Sequence, residues 1–177
     1  MKKFELTSET KINIFGKKLF RIKALVSFGV VKTGETGGWV EKEENVNQSG
    51  DAWVFGNAEV FGNARVSGDA EVSGNARVSG DAEVFGNARV SGNARVFGNA
   101  EVFGNADYTT IHGFGTQFRT TTFFRCKDKQ VKVSCGCFYG TIPEFREQVK
   151  NTRDGKIAEE YLMIADLMEK HFAEEAK

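Results

Sequence analysis

From Asp51 to Asp107 the chain repeats itself every six residues, DAWVFGNAEVFGNARVSGDAEVSGNARVSGDAEVFGNARVSGNARVFGNAEVFGNAD. Val recurs at 54, 60, 66, 72, 78, 84, 90, 96 and 102, Gly stands two residues after each Val, Ala four after, and Asn or Asp between them. Nine hexads are complete, and a weaker tenth begins near Gln48. A helix would rotate every sixth residue onto a new face, so the period is not helical. It is the period of a β-solenoid, in which each hexad supplies a short strand and a corner. Val points inward and fills the core. Gly followed by Asn or Asp makes the corner, where positive φ costs glycine little. Ala points in beside the corner, where only a small side chain fits, and Glu or Arg faces solvent. Three hexads close one coil of 18 residues, so the nine make about three coils, roughly 14–15 Å tall at the spacing of hydrogen-bonded strands.

Residues 18 apart then lie over one another. Glu59–Arg77, Arg65–Glu83, Glu71–Arg89 and Arg89–Asp107 become opposite pairs, whereas Arg77–Arg95 and Glu83–Glu101 become like pairs. Such exposed pairs contribute little each. The 20 Gly against a single Pro and the 16 Phe fit an ordered repeat, not a disordered Gly-rich chain. Net charge is balanced, with 24 basic and 24 acidic residues, which argues against a nucleic-acid coat. No apolar run is long enough to span a membrane, the start MKKFELTSETK has no apolar core of a signal peptide, and three Cys do not make a secreted disulfide scaffold. The expected setting is the cytoplasm.

The array divides the chain into residues 1–47, 48–107 and 108–177. In the first, Ile12 and Ile14 and then Leu19 and Ile22 flank Gly16-Lys17-Lys18 as a hairpin, and GETGGWVEKEEN (34–45) reads as a Gly-rich loop leading into the array. Together they form a small β cap, because an open solenoid end exposes unpaired strand edges. In the last, GTQFRTTTFFRC (115–126) and VKVSCGCF (131–138) read as two strands around the turn KDKQ. A helix follows over 142–151 with Pro143 in its first turn. A second covers 156–172, with Ile157, Tyr161, Ile164, Leu167 or Met168, and Phe172 on one face. The fold class is mainly β: a parallel β-helix with an N-terminal cap and a C-terminal ββαα module.

The pattern V-[SF]-G-[ND]-A-[ER] resembles the left-handed parallel β-helix of hexapeptide-repeat proteins, and the left hand is what that resemblance implies. RTTTFF, VSCGCFYGTIPEF and AEEYL, with RIKAL and GGWVE near the start, resemble an uncharacterised type of phage and prophage protein. Proteins of that type commonly carry a Thr-His pair after the first helix, where this chain has Thr152-Arg153. The resemblance supplies no catalytic residues.

Four chemistries remain. Many left-handed β-helix enzymes transfer acyl groups from coenzyme A with a His base. His112 in TIHGFG is the candidate here, on a loop after the array, although the hexads carry no long inserted loop. Cys126, with Cys135 and Cys137 of a Cys-x-Cys strand presenting both sulfurs to one side, would suit zinc, but the two-residue gaps of zinc sites are absent. Arg119, Thr121, Phe123 and Arg125 share one face of a strand and, with Lys127 and Lys132, would hold a phosphate or nucleotide; the plain alternative is a sheet with Phe buried on the helices and its charges solvated. Phe55, Phe61, Phe85, Phe97 and Phe103 take the outward position after Val, an apolar surface that either the chain's ends or another subunit covers. These readings favour a non-enzymatic, homo-oligomeric scaffold, a dimer or trimer without a cofactor, presenting a terminal module to a host protein or a small anionic ligand. Counteracting host defence is the setting the resemblance implies. An acyltransferase and an open-ended structural polymer are the alternatives, and the basic hairpin leaves nucleic acid open.

Overall fold

The computed structural model describes residues 2–173, in two compact units, Met1–Asn105 and Ala106–Lys177. The first unit opens with the antiparallel hairpin of β1 (Phe4–Ile12) and β2 (Lys18–Ala24), followed by β3 (Thr36–Val40). Nine two-residue strands then follow, one per hexad: β4 (Trp53–Val54), β5 (Glu59–Val60), β6 (Arg65–Val66), β7 (Glu71–Val72), β8 (Arg77–Val78), β9 (Glu83–Val84), β10 (Arg89–Val90), β11 (Arg95–Val96) and β12 (Glu101–Val102). They stack in parallel as three faces: β3-β5-β8-β11, β4-β7-β10 and β6-β9-β12. This is a parallel β-solenoid. Every Val of the array is fully buried, as is every hexad Ala from Ala52 to Ala100, whereas Ala106 after the last Val is exposed. The corner glycines from Gly56 to Gly98 take φ between 60° and 72°. Their second constraint is contact: a Cβ on Gly80 would stand 2.9 Å from the Gly98 backbone one coil on, so stacked corners leave no room for a side chain.

The solenoid reaches further back than the hexad pattern. Trp39 and Val40 register with Glu59 and Val60, so GETGGWVEKEEN contains a rung, not a loop. The glycines there serve close packing. A Cβ on Gly37 would lie 2.6 Å from both Ile22 and Trp53, and one on Gly38 would lie 2.5 Å from Val54. The β3 face is therefore four rungs deep, and on the β6 face Val46 pairs in parallel with Val66, so that face also reaches one position further back.

The carbonyls at the start of the hexad array have no complete coil before them to supply N–H donors, and each face meets this differently. On the first face β3 donates from Trp39 N–H to the Ala58 carbonyl at 2.9 Å. On the β6 face the buried Asn45 side chain donates to the Gly62 and Ala64 carbonyls at 3.2 and 2.8 Å. On the β4 face the Lys3 ammonium donates to the Gly50 and Ala52 carbonyls at 3.1 and 2.9 Å. Burial pulls the Lys3 pKa down to about 8, against the pull of Asp51.

The second unit is an antiparallel meander of β13 (Tyr108–Phe114), β14 (Arg119–Arg125), β15 (Val131–Cys135) and β16 (Phe138–Thr141), then α1 (Ile142–Thr152) and α2 (Gly155–Phe172). The expected ββαα module has four strands instead of two. β13 was hidden by its polar Thr109, Thr110 and His112, and the second expected strand is broken by a turn at Gly136. Thr141 caps α1, its hydroxyl accepting from Glu144 N–H at 3.4 Å while the Glu144 carboxylate accepts from Thr141 N–H at 2.6 Å. The helices cover one sheet face with Phe145, Tyr161, Ile164, Met168 and Phe172 on Phe123 and Val133. Of the two alternatives at 167 and 168, Met168 is inside and Leu167 is out.

Candidate functional site

A cleft of about 280 Å³ opens in the second unit where the start of β14 and the β15–β16 turn meet the end of α1 and the first turns of α2. Arg119 and Arg153 stand in its wall with Cys135, Cys137, Gln148, Thr152 and Tyr161, and Phe138, Phe145 and Val149 form its apolar floor. Each arginine is placed by backbone. Arg119 opens β14, and its guanidinium lies across Gly136, where a side chain would collide with it. Arg153 ends α1, its N–H donating to the Val149 carbonyl at 2.9 Å and its Nη1 to the Thr152 carbonyl at 2.8 Å. Both are exposed, and neither has a carboxylate partner among the described residues. Tyr161 is buried behind them, its hydroxyl donating to the Phe114 carbonyl at 3.3 Å. Burial raises its pKa, the neighbouring Cys135 pushes the same way, and the two arginines oppose. The cleft therefore offers two cations above an apolar floor, a combination suited to a small anion with an apolar body.

The expected strand face is real but points inward. Thr121 is buried and its hydroxyl donates to Cys135 Sγ at 3.1 Å. Phe123 is fully buried, edge-on to Phe145 at 6.3 Å, so it stacks on no ligand. Arg125 pairs with Asp107 at 3.3 Å and donates to the Phe172 carbonyl at 2.8 Å, which takes up its charge inside the unit. Lys127 lies in the β14–β15 turn, at the opposite end of β14 from Arg119, and Lys132 alternates with Val131 and Val133 onto the face away from the helices. Phe123 is thus buried on the helices, as the plain alternative has it, but Arg125 is paired inside the unit and not simply solvated, and Arg119 alone of the set reaches the cleft. Arg153 and Tyr161 complete it. Only the position after the first helix marked Arg153 in the sequence, and Tyr161 read simply as core.

His112 sits on β13, not on a loop, exposed, with Nδ1 3.2 Å from the Thr120 hydroxyl. The three candidate sulfurs do not gather, for a geometric reason. β15 ends at Cys135, Gly136 turns with φ 61°, and Cys137 leaves the strand alternation that would have aligned the sulfurs. Cys126 is buried and its thiol is pushed up to about 11, burial being the main cause. Among the described residues no three His, Cys, Asp or Glu side chains gather as a metal site.

Of the outward Phe residues, Phe85 and Phe103 stack edge-on at 5.2 Å. Phe61 is covered by the chain's own hairpin, against Phe15 at 5.6 Å and beside Leu19 and Trp39. Phe55 and Phe97 are half-buried, and Phe103 remains 59% exposed. No helix among the described residues is long and apolar enough to cross a membrane.

The fold defines a β-solenoid protein. A family model described as the YdcK beta solenoid repeat matches residues 88–104, inside the hexad array. Comparison with curated proteins gives no match.

Proposed function

We propose that the protein is a non-enzymatic binding protein in which the solenoid is a rigid scaffold and the C-terminal unit binds a small anionic, nucleotide-like ligand in the Arg119–Arg153 cleft. The observation that carries this reading is the pair of exposed guanidinium groups lining one cleft, without a carboxylate partner among the described residues, over an apolar floor. Phosphate oxygens take guanidinium groups in paired, charge-assisted hydrogen bonds, and an aromatic or sugar body would lie on Phe138 and Val149. A homo-oligomer belongs to the same reading, and the exposure of Phe103 beside Phe85 supports it. The setting is that of a phage-type accessory protein in the host cytoplasm, including counter-defence, on the resemblance of its terminal segments.

Titration calorimetry with inorganic phosphate and with nucleoside monophosphates tests the reading. Saturable binding is expected, weakened about tenfold or more by Arg119→Ala or by Arg153→Ala, as the loss of a hydrogen bond to a charged group implies. Absence of heat at millimolar ligand, or affinities that both variants leave unchanged, removes the reading. Native mass spectrometry of the untagged protein reads subunit number and any co-purified ligand together.

A further inference from the structure

The binding reading leaves two thiols of the cleft unused, and they differ. Cys135 is half-buried, and its sulfur is held by the Thr121 hydroxyl at 3.1 Å. Cys137 is exposed. It occupies the second place of a two-residue turn, since Cys135 registers with Phe138 and positive-φ Gly136 takes the first place. The Arg119 guanidinium lies across Gly136, next to Cys137 in sequence, and Arg153 faces the same space from the end of α1. The one exposed thiol of the described chain thus lines the same cleft as two guanidinium groups that have no carboxylate partner among the described residues.

We propose that Cys137 is a site of thiol–disulfide exchange with a small anionic disulfide of the glutathione class, whose carboxylates sit against Arg119 and Arg153. The Cys137 thiol gives its proton to solvent, and the thiolate attacks one sulfur of the disulfide. The bond from Cys137 Sγ to that sulfur forms, the original sulfur–sulfur bond breaks, and the departing thiolate takes a proton from solvent. The protein thiol is oxidised and half of the disulfide is reduced, with no further reactant. Excess glutathione reverses the step. The inference rests on the anion-cleft reading for the role of the arginines. It adds a reversible covalent occupant that would exclude the free ligand.

The test follows the reduced full chain with glutathione disulfide and, separately, with uncharged hydroxyethyl disulfide, by intact mass and peptide mapping. Each rate is scaled to that of a simple cysteine peptide. One glutathionyl group on Cys137, absent in Cys137→Ser, is expected. The scaled rate with the anionic disulfide should exceed that with the neutral one by about tenfold or more, as charge focusing in a cleft allows. That advantage should shrink with added salt and vanish in the Arg119→Ala/Arg153→Ala double variant. Equal scaled rates for the two disulfides, or an adduct on Cys126 or Cys135 in place of Cys137, overturns the proposal. The two readings fail separately. A protein that binds phosphate yet shows no preference between disulfides loses only this inference, and one that binds no phosphate yet selects the anionic disulfide at Cys137 loses only the binding reading.

Discussion

The two units solve the burial problem by opposite means. In the solenoid each residue's decisive neighbour is a copy of itself one coil away, and the backbone joins them, as from Arg65 N–H to the Ala82 carbonyl and from Arg77 N–H to the Ala94 carbonyl, both at 2.9 Å. Its hexads fill the inside of the coil with columns of Val and Ala, and only Trp53 and Phe61 among their larger apolar side chains are buried as well. The C-terminal unit has no repetition and builds its core on one aromatic hub. Phe145 meets Phe123, Phe138 and Tyr161 with ring centroids at 6.3, 5.4 and 5.7 Å. A stack spreads each constraint over many equivalent positions, whereas a hub concentrates it.

The hub is where the contrast is easiest to break. Phe145→Ala should destabilise the C-terminal unit by about 3–5 kcal/mol, because it removes a buried ring and leaves a cavity among three others. Two probes check it: tyrosine fluorescence near Tyr161 should lose its transition first, while the β-sheet circular dichroism of the solenoid persists. Coincident loss of both signals would mean that the units do not unfold separately. The stack breaks at its corners instead. Gly80→Ala forces a side chain into positive φ and against the next coil, whereas at Gly92, also at positive φ, a Cβ would meet nothing within 4 Å. Gly92→Ala therefore isolates the backbone strain, about 1 kcal/mol, and Gly80→Ala should cost roughly 2–3 kcal/mol in chemical denaturation. Equal costs would show that stacking contributes nothing to the choice of glycine.

Legibility in the sequence follows the same division. The hexads revealed the solenoid because an inward Val, a corner Gly and a small Ala are each required by a local rule repeated nine times. The first rung was lost because Gly37 and Gly38 look like flexibility, when the cause is their closeness to Ile22, Trp53 and Val54, residues that only folding brings there. In the C-terminal unit the helices and two strand segments were readable from period and capping, but the cleft was not. Arg119 and Arg153 are far apart along the chain, and no period links them. Alternation correctly placed Thr121, Phe123 and Arg125 on one face without saying which way that face points.

Lys3 sharpens the comparison at the solenoid's end, where stacking stops and a single side chain replaces a rung. Its pKa near 8, against 10.5 ordinarily, means that the folded protein sheds this proton while the unfolded chain still holds it. Between those values the unfolded state binds more protons, so the Lys3 contribution to stability rises with pH, on the order of 2 kcal/mol across the window. Denaturation midpoints from pH 7 to 10.5 should therefore improve for the wild type relative to Lys3→Met, whose thioether does not titrate. A constant difference would place the ammonium in water.

The smallest effect concerns the charges on the stack. Glu59–Arg77 and Glu71–Arg89 stand at 3.4 and 3.6 Å, whereas the register sets Glu101 directly over Glu83. Asp107, expected over Arg89, instead lies in the second unit against Arg125 at 3.3 Å. If backbone stacking and the Val column fix the register, the outward charges follow it without choosing it, and a like pair is tolerated. Glu101→Arg would turn the like pair into an opposite one and should gain only about 0.3–0.5 kcal/mol in dilute buffer. The gain should disappear in molar salt, where screening reaches contact distances. A larger gain that survives salt would mean that the ladder of charges, not the buried column beneath it, decides which residue sits over which.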